Sequence, residues 1–502
     1  MNAAAREPVD VALLVEGTYP FVRGGVSAWV HRLIESLPDT TFSVVFLGGR
    51  RVDHGPPAYP LLPNVRSIER LYLFEPPEHE TAPSFGRRRC PMAQIDQLHD
   101  LLRSTCPDAP VDPSAPFREL AHLLAEPRGV TRWDFLHGDH AWRRIDEGYR
   151  RTTPTGSFTD YFWTIRATHA AVFTLAEFAR QLPPARAYHA VSTGYAGLLG
   201  ALLRHRHGRP LLVTEHGIYT KERKIDLASA EHVPGDGDPC ASGFGRRLWM
   251  QFFHGLGRIA YACADHIIAL HEGSRRRQIQ DGADPVRTRV IPNGVDLARF
   301  TAIRRARPHT PPPVLGFLGR LVPIKDVKCF IRAMKALVAR CPEAQGLIVG
   351  PASEDPAYAR ECVQLVASLG LERRVRFTGF LPAEDALREL GVLVLTSISE
   401  GLPLAVLEAF ASGLPVVTTD VGACRELVEG RTPDDCERGP AGAVVPIADP
   451  EAVARAALAL LEPARWRAAQ HAAIGRVDAH YSETRVVDAY RRIYQEASAW
   501  QA

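Results

Sequence analysis

Two short strings hold the groups best suited to chemistry in this chain of 502 residues. The first reads Ser399-Glu400-Gly401-Leu402-Pro403-Leu404-Ala405-Val406-Leu407-Glu408-Ala409. It sets one carboxylate in a loop mouth and a second just over one turn into a new helix. Pro403 suits a first helical turn, whose free amides favour an anionic group. Glu408 can accept two hydrogen bonds from a vicinal diol such as a ribose. A solvated glutamate on a helix surface is the plainer reading, and two spaced glutamates alone arise often by chance. The continuation Ala411-Ser412-Gly413-Leu414-Pro415-Val416-Val417 makes the string much more specific. The second string is Gly319-Arg320-Leu321-Val322-Pro323-Ile324-Lys325-Asp326. Arg320 and Lys325 place two cations in a strand-to-helix loop, where they can hold a diphosphate and neutralise a leaving group. Two solvated cations beside an N-cap at Asp326 is the alternative, and the Glu400 string tips the balance against it.

Other positions carry weaker signals. Gly24-Gly25 precede a helix and let the backbone approach a ligand closely, although a plain tight turn would look the same. The loop is not G-x-G-x-x-G. The literal match Gly255-Leu256-Gly257-Arg258-Ile259-Ala260 lies in a helix-like run before a strand, so it is rejected as a nicotinamide site. His216 directly follows a strand and can bond a sugar hydroxyl or move a proton; taken alone, a satisfied structural histidine is the better reading. Lys221, Glu222, Arg223 and Lys224 face an acceptor or simply solvent. Asn293-Gly294-Val295-Asp296 reads as a tight turn at a site edge, with ligand contact by Asn293. Asp236-Gly237-Asp238 resembles a metal-binding pair but has no adjacent strand, and no metal is assigned. P-loop, zincin and nucleophile-elbow motifs are absent.

The elements that must position these groups alternate between strand and helix. A buried strand ends at Glu16, and Val26, Trp29, Val30, Leu33, Ile34 and Leu37 form one helical stripe. A second strand, Thr41 to Leu47, completes a βαβ unit and implies a parallel sheet. Residues 50–166 read as a helical insertion with loops and no strand. The rhythm returns with strands at 187–191, 210–215, 266–270 and 289–292, and Lys221 to Gly245 reads as a loop. Residues 301–313, with three consecutive prolines, read as an interdomain linker. Strands near 314–318, 346–350, 374–378, 391–396, 415–419 and 442–446 make a second doubly wound domain. The expected fold class is α/β, with two Rossmann-like domains facing across a cleft. The domains are 1–300 (acceptor side), 301–480 (donor side) and a helix over 481–502 that packs back on the first.

Composition narrows the class. Sixty basic against 57 acidic residues give a net charge of +3, so nucleic-acid binding driven by overall charge is not expected. The 46% hydrophobic and 23% charged content is ordinary for a globular protein. The nine scattered cysteines form no C-x-x-C and read as reduced thiols. Without an apolar run of about 18 residues or a signal-peptide pattern, a cytoplasmic protein is expected.

The Gly24-Gly25 loop, Thr214-Glu215-His216, Ile291-Pro292-Asn293-Gly294-Val295-Asp296, Gly319-Arg320 with Lys325-Asp326, and Glu400 through Glu408 resemble glycosyltransferase family four of the GT-B enzymes. LLVEGTYPFVRGGVSAWVHRLI, TFSVVFLGG and EHGIYTKERKIDL look most like its PelF subfamily, which serves Pel exopolysaccharide synthesis. The resemblance implies a retaining transferase that uses a UDP-sugar without metal or cofactor. Arg320 and Lys325 then hold the diphosphate, and Glu408 the ribose. Glu400 and the stretch Gly401, Leu402, Pro403 and Leu404 meet the donor sugar. Gly24 and Gly25 approach the phosphate, His216 meets the sugar, and backbone around Gly379 and Phe380 reads the base. Asn293 and Gly319 complete the donor set. Leu402 departs from the family, where many members carry an aromatic residue, so the pocket shape is open. The implied reaction moves a hexose from UDP-glucose or a UDP-N-acetylhexosamine to a growing polysaccharide. Implied partners are inner-membrane Pel synthase components. A sugar-nucleotide epimerase and a silent synthase subunit stand as alternatives.

Overall fold

The computed structural model describes residues 8–75, 96–97, 100–102, 113–125, 132–137, 139–152, 157–229 and 244–499. It divides into two compact units. One contains Met1–Ala269, Arg275–Val290 and Tyr490–Ala502; the other contains Leu270–Ser274 and Ile291–Ala489.

The first unit is built on β1 (Val9–Glu16), β2 (Phe42–Gly48), β3 (Val65–Tyr72), β4 (Ala185–Ala190), β5 (Leu211–Glu215), β6 (His266–Ala269) and β7 (Thr288–Val290). Their order is β3-β2-β1-β4-β5-β6-β7, and every neighbouring pair is parallel. Central strands of such a sheet lose water on both faces, and β2, FSVVFLG, is buried along its whole length. Leu14, Val45, Tyr188 and Val213 pack with Phe173, Leu199 and Phe252 from the covering helices Phe158–Gln181, Tyr195–His207 and Phe244–Cys263 in one apolar cluster.

The second unit carries β8 (Val314–Leu318), β9 (Gln345–Val349), β10 (Val375–Gly379), β11 (Val392–Leu395), β12 (Val416–Thr419) and β13 (Gly442–Val445). The order β10-β9-β8-β11-β12-β13 is all parallel and doubly wound. All six strands fall where the sequence places them. The α/β class and the two Rossmann-like sheets are therefore as expected.

Four local expectations differ from the structure. The insertion contains a strand, β3, besides the helices Ser114–Ala125, Arg132–Leu136 and Asp139–Thr152. Lys221 to Ser229 is helical, within Tyr219–Ser229, and not a loop. Residues 301–305 belong to the helix Leu297–Arg305 and not to a linker. Arg307, in the same stretch, bonds Leu387 O, Leu390 O and Ser412 O at 2.7 to 3.0 Å. Pro403 caps the helix Leu404–Ala411 from outside its first turn. Asp236 and Asp238 lie outside the described residues. Among the described residues, no helix is long and apolar enough to cross a membrane.

Candidate functional site

In the second unit the strand order reverses between β8 and β11, the neighbours from which the chain leaves in opposite directions. Loops at such a point splay apart at the carboxyl ends of the strands and leave room for a ligand. Both strings singled out by sequence start there. After β8 the chain turns through Pro323–Lys325 and enters the helix Val327–Val338, capped by the Asp326 carboxylate on Cys329 N at 3.1 Å. After β11 it passes Ser397 and Glu400 before the helix Leu404–Ala411.

The two loops are stitched together. Ile398 N donates to Ile324 O at 2.8 Å, and Thr396 Oγ1 donates to Asp326 O at 2.9 Å. This brings Lys325 Nζ to 2.5 Å from Glu400 Oε1, which also accepts Ser397 Oγ at 2.6 Å. The pair is mostly shielded, with side chains 19% and 10% exposed. Sequence supplied both residues but not their contact. Asp326, at φ 43° and ψ 55°, ends the Lys325 turn in a left-handed conformation, which aspartate tolerates better than most residues.

The remaining predicted residues of this unit have distinct surroundings. Arg320 is exposed and paired with Glu354, both carboxylate oxygens lying within 2.6 Å of Nη1. Glu354 carried no signal in the sequence. Gly319 N donates to Val349 O, and Gly350 N to Gly379 O, both at 2.9 Å. A Cβ on Gly350, whose φ is +151°, would lie 1.8 Å from Gly319 O. The bare backbone there lets the ends of β8, β9 and β10 meet. Gly379 is exposed at φ +70°, and Phe380 beside it is 70% exposed. Leu402 is buried; its carbonyl accepts Asn293 Nδ2 at 3.2 Å. Asn293 Oδ1 is buried with no hydrogen-bond partner among the described residues. Gly401 O accepts Ala423 N at 2.8 Å, and a Cβ on Gly422 would strike that same oxygen. Glu408 is half-buried on its helix.

In the first unit, Gly24 and Gly25 are exposed at the start of the helix Gly25–Glu35, and a Cβ on either meets no atom within 4 Å. His216 follows β5, with its ring 4.4 Å from Trp29 in an edge-on contact. Burial lowers its pKa to about 3, so the imidazole is neutral at pH 7. Its Nε2 is buried without a partner among the described residues. His189, on β4, is buried and bonds Tyr494 OH at 2.7 Å and Thr214 Oγ1 at 2.8 Å. Glu215 is buried and accepts Thr193 Oγ1, Tyr219 N, Tyr261 OH and Gln278 Nε2. Desolvation raises its pKa despite those four donors. Sequence singled out neither residue for such a role. Among the described residues, no three His, Cys, Asp or Glu side chains group to hold a metal.

Residues 9–286 match a family model described as "Domain of unknown function (DUF3492)", and residues 312–463 match "Glycosyl transferases group 1". A D-inositol 3-phosphate glycosyltransferase of Geodermatophilus obscurus is 31% identical over 275 residues, covering 49% of this chain and 57% of the relative. That of Kineococcus radiotolerans is 29% identical over 337 residues, covering 62% and 74%. This chain thus spans little more than half the length of the first of these relatives. Sucrose-phosphate synthase from Thermosynechococcus elongatus superposes with a TM-score of 0.57 at 20% identity, over 97% of this chain and 98% of its own. Anabaena Alr3699/HepE, solved in complex with UDP and glucose, gives 0.55 at 18% identity, over 98% and 100%. These likenesses show the GT-B fold. The chain belongs to the DUF3492 family and carries a glycosyl transferases group 1 domain in its second half.

Proposed function

We propose that this protein is a retaining, metal-independent glycosyltransferase of the PelF type. In this reading it moves a hexose from UDP-glucose or a UDP-N-acetylhexosamine to a growing exopolysaccharide in the cytoplasm, alongside inner-membrane synthase components. The observation that carries the reading is the Lys325–Glu400 contact at the point where β8 and β11 diverge. Cleavage of a sugar–phosphate bond builds negative charge on the diphosphate. A shielded ammonium stabilises that charge more than it stabilises the ground state, which is what accelerates the step. Arg320 exchanges its exposed partner Glu354 for the diphosphate, at small cost because surface ion pairs contribute little. Glu408 takes the ribose hydroxyls, and Gly379 with Phe380 borders the base. Gly401, Pro403, Leu404 and Glu400 border the sugar; Asn293 fixes the Leu402 carbonyl that shapes this stretch. His216 bonds a sugar hydroxyl as a neutral imidazole, and the Gly24–Gly25 amides favour a phosphate oxygen. The acceptor proton leaves with the diphosphate.

The test is UDP release that depends on added acceptor. Lys325→Ala should lower its rate by on the order of a hundredfold or more, as loss of one transition-state donor does. Melting temperature should fall, because the shielded Glu400 loses its cation and keeps the Ser397 bond, so the rates are compared well below the transition of the variant. Full activity in that variant would remove the diphosphate role.

A further inference from the structure

We infer that the carboxyl ends of β1, β3 and β4 form an acceptor subsite for a neutral saccharide, in which Phe74 stacks a pyranose ring and Glu16 accepts its hydroxyls. The inference rests on the transferase reading and assigns residues to its acceptor.

The first unit has its own reversal of strand order, between β1 and β4. Glu16 is the last residue of β1, and Tyr195 opens the helix that follows β4. Both therefore border the crevice where a doubly wound sheet takes its ligand. Glu16 is half-buried and held from two sides. Its Oε1 accepts Tyr219 OH at 2.7 Å, while Oε2 accepts Tyr195 N at 3.0 Å and Ser192 Oγ at 3.4 Å. A carboxylate offers about four lone-pair sites, so two good bonds fix its direction and leave capacity for ligand hydroxyls. Gly194 makes this arrangement possible: a Cβ there would fall 2.2 Å from Tyr219 Cζ.

Sugars present hydroxyls around an apolar C–H face, and sites for them pair a positioned polar group with an aromatic surface. Phe74 supplies that surface. It follows β3 and is 50% exposed, although a phenyl ring gains by burial. Phe74 N donates to Gly49 O at 3.0 Å, which anchors the ring beside the end of β2. Its centroid lies 6.4 Å from the Tyr195 ring, edge to face, so Phe74, Tyr195 and Glu16 are contiguous. The Tyr195 hydroxyl is buried with no hydrogen-bond partner among the described residues. Such a group is normally satisfied, and a sugar hydroxyl beside Glu16 would satisfy it. Arg223 lies over the Tyr219 ring at 5.2 Å.

Saturation-transfer NMR of the full chain with saturating UDP, using maltotetraose, cellotetraose and chitotetraose as probes, tests the subsite. At least one tetrasaccharide should bind. Phe74→Ala and Glu16→Gln should each weaken it about tenfold, equivalent to about 1.4 kcal/mol, and Phe74→Trp should restore it. UDP affinity measured by calorimetry should be unchanged in all three variants. No tetrasaccharide contact in a wild-type chain that binds UDP overturns the subsite, as does unchanged binding in both Phe74→Ala and Glu16→Gln. Tetrasaccharide binding without any UDP binding sustains the subsite and overturns the donor reading instead.

Discussion

Asp326 is held at φ 43°, a conformation that costs an ordinary L-residue roughly 1–2 kcal/mol. The geometry is useful there, because the same residue ends the Lys325 turn and caps the next helix through Cys329 N. Asp326→Ala loses the cap and keeps the strain, so equilibrium urea unfolding should show a loss of about 1–3 kcal/mol. Asp326→Asn keeps both the acceptor and the tolerance of this backbone region and should be nearly neutral. Equal losses in the two variants would contradict the account of this turn. Residue types at the candidate site were legible because Gly, Pro, Lys and Glu at strand ends have few other uses together. Their pairings were not. Lys325 meets Glu400 across 75 positions and Arg320 meets Glu354 across 34, and which loops become neighbours depends on strand order. Glu16 went unnoticed because it reads as the last residue of a strand. Asn293 was marked as a turn residue, but its buried bond to Leu402 O required the folded unit.

At the scale of elements, the strands of the second unit were legible because a parallel sheet covered on both faces demands short continuous apolar runs. β3 escaped for the opposite reason. It lies at the sheet edge, and Val65, Ile68 and Leu71 in VRSIERLY recur every three residues, a spacing closer to a helix than to a strand. The helix Tyr219–Ser229 was hidden by its charge, since TKERKID has no apolar stripe. Nor did sequence mark Arg476 in the helix Pro463–His480. Its guanidinium is wholly buried, bonding Asp435 Oδ1 at 2.9 Å and the carbonyls of Leu427, Val428, Asp435 and Gly439. It ties three segments around β13. Arg476→Met would leave Asp435 buried without its 2.9 Å partner, with Arg438 at 3.6 Å and His480 at 3.7 Å as the remaining basic groups near it among the described residues. The expected loss is about 3–5 kcal/mol in denaturant unfolding. A loss under about 1 kcal/mol would show that the network is dispensable.

For the whole molecule, the two units give separate handles on stability and on ligand. In the first, burial lowers the pKa of His189 to about 3, with His216 adding a smaller push in the same direction. The folded chain therefore keeps the ring neutral, whereas the unfolded chain protonates it below its ordinary value of 6.5. Above that pH neither state gains a proton. As pH falls from 6.5 towards 3, the unfolded state gains, and stability drops by up to tenfold in the folding constant per pH unit. His189→Gln should flatten the profile in that window by about one proton's worth of slope; an unchanged slope would contradict a neutral buried imidazole. In the second unit, the handle is the nucleotide that the proposed function assigns to it. Calorimetric titration of the full chain and of Lys325→Ala with UDP, GDP and ADP tests the central claim most directly. The account predicts selective UDP binding that Lys325→Ala weakens by about tenfold or more, at least about 1.4 kcal/mol. Absence of nucleotide binding, or equal UDP affinity in the two proteins, would contradict it.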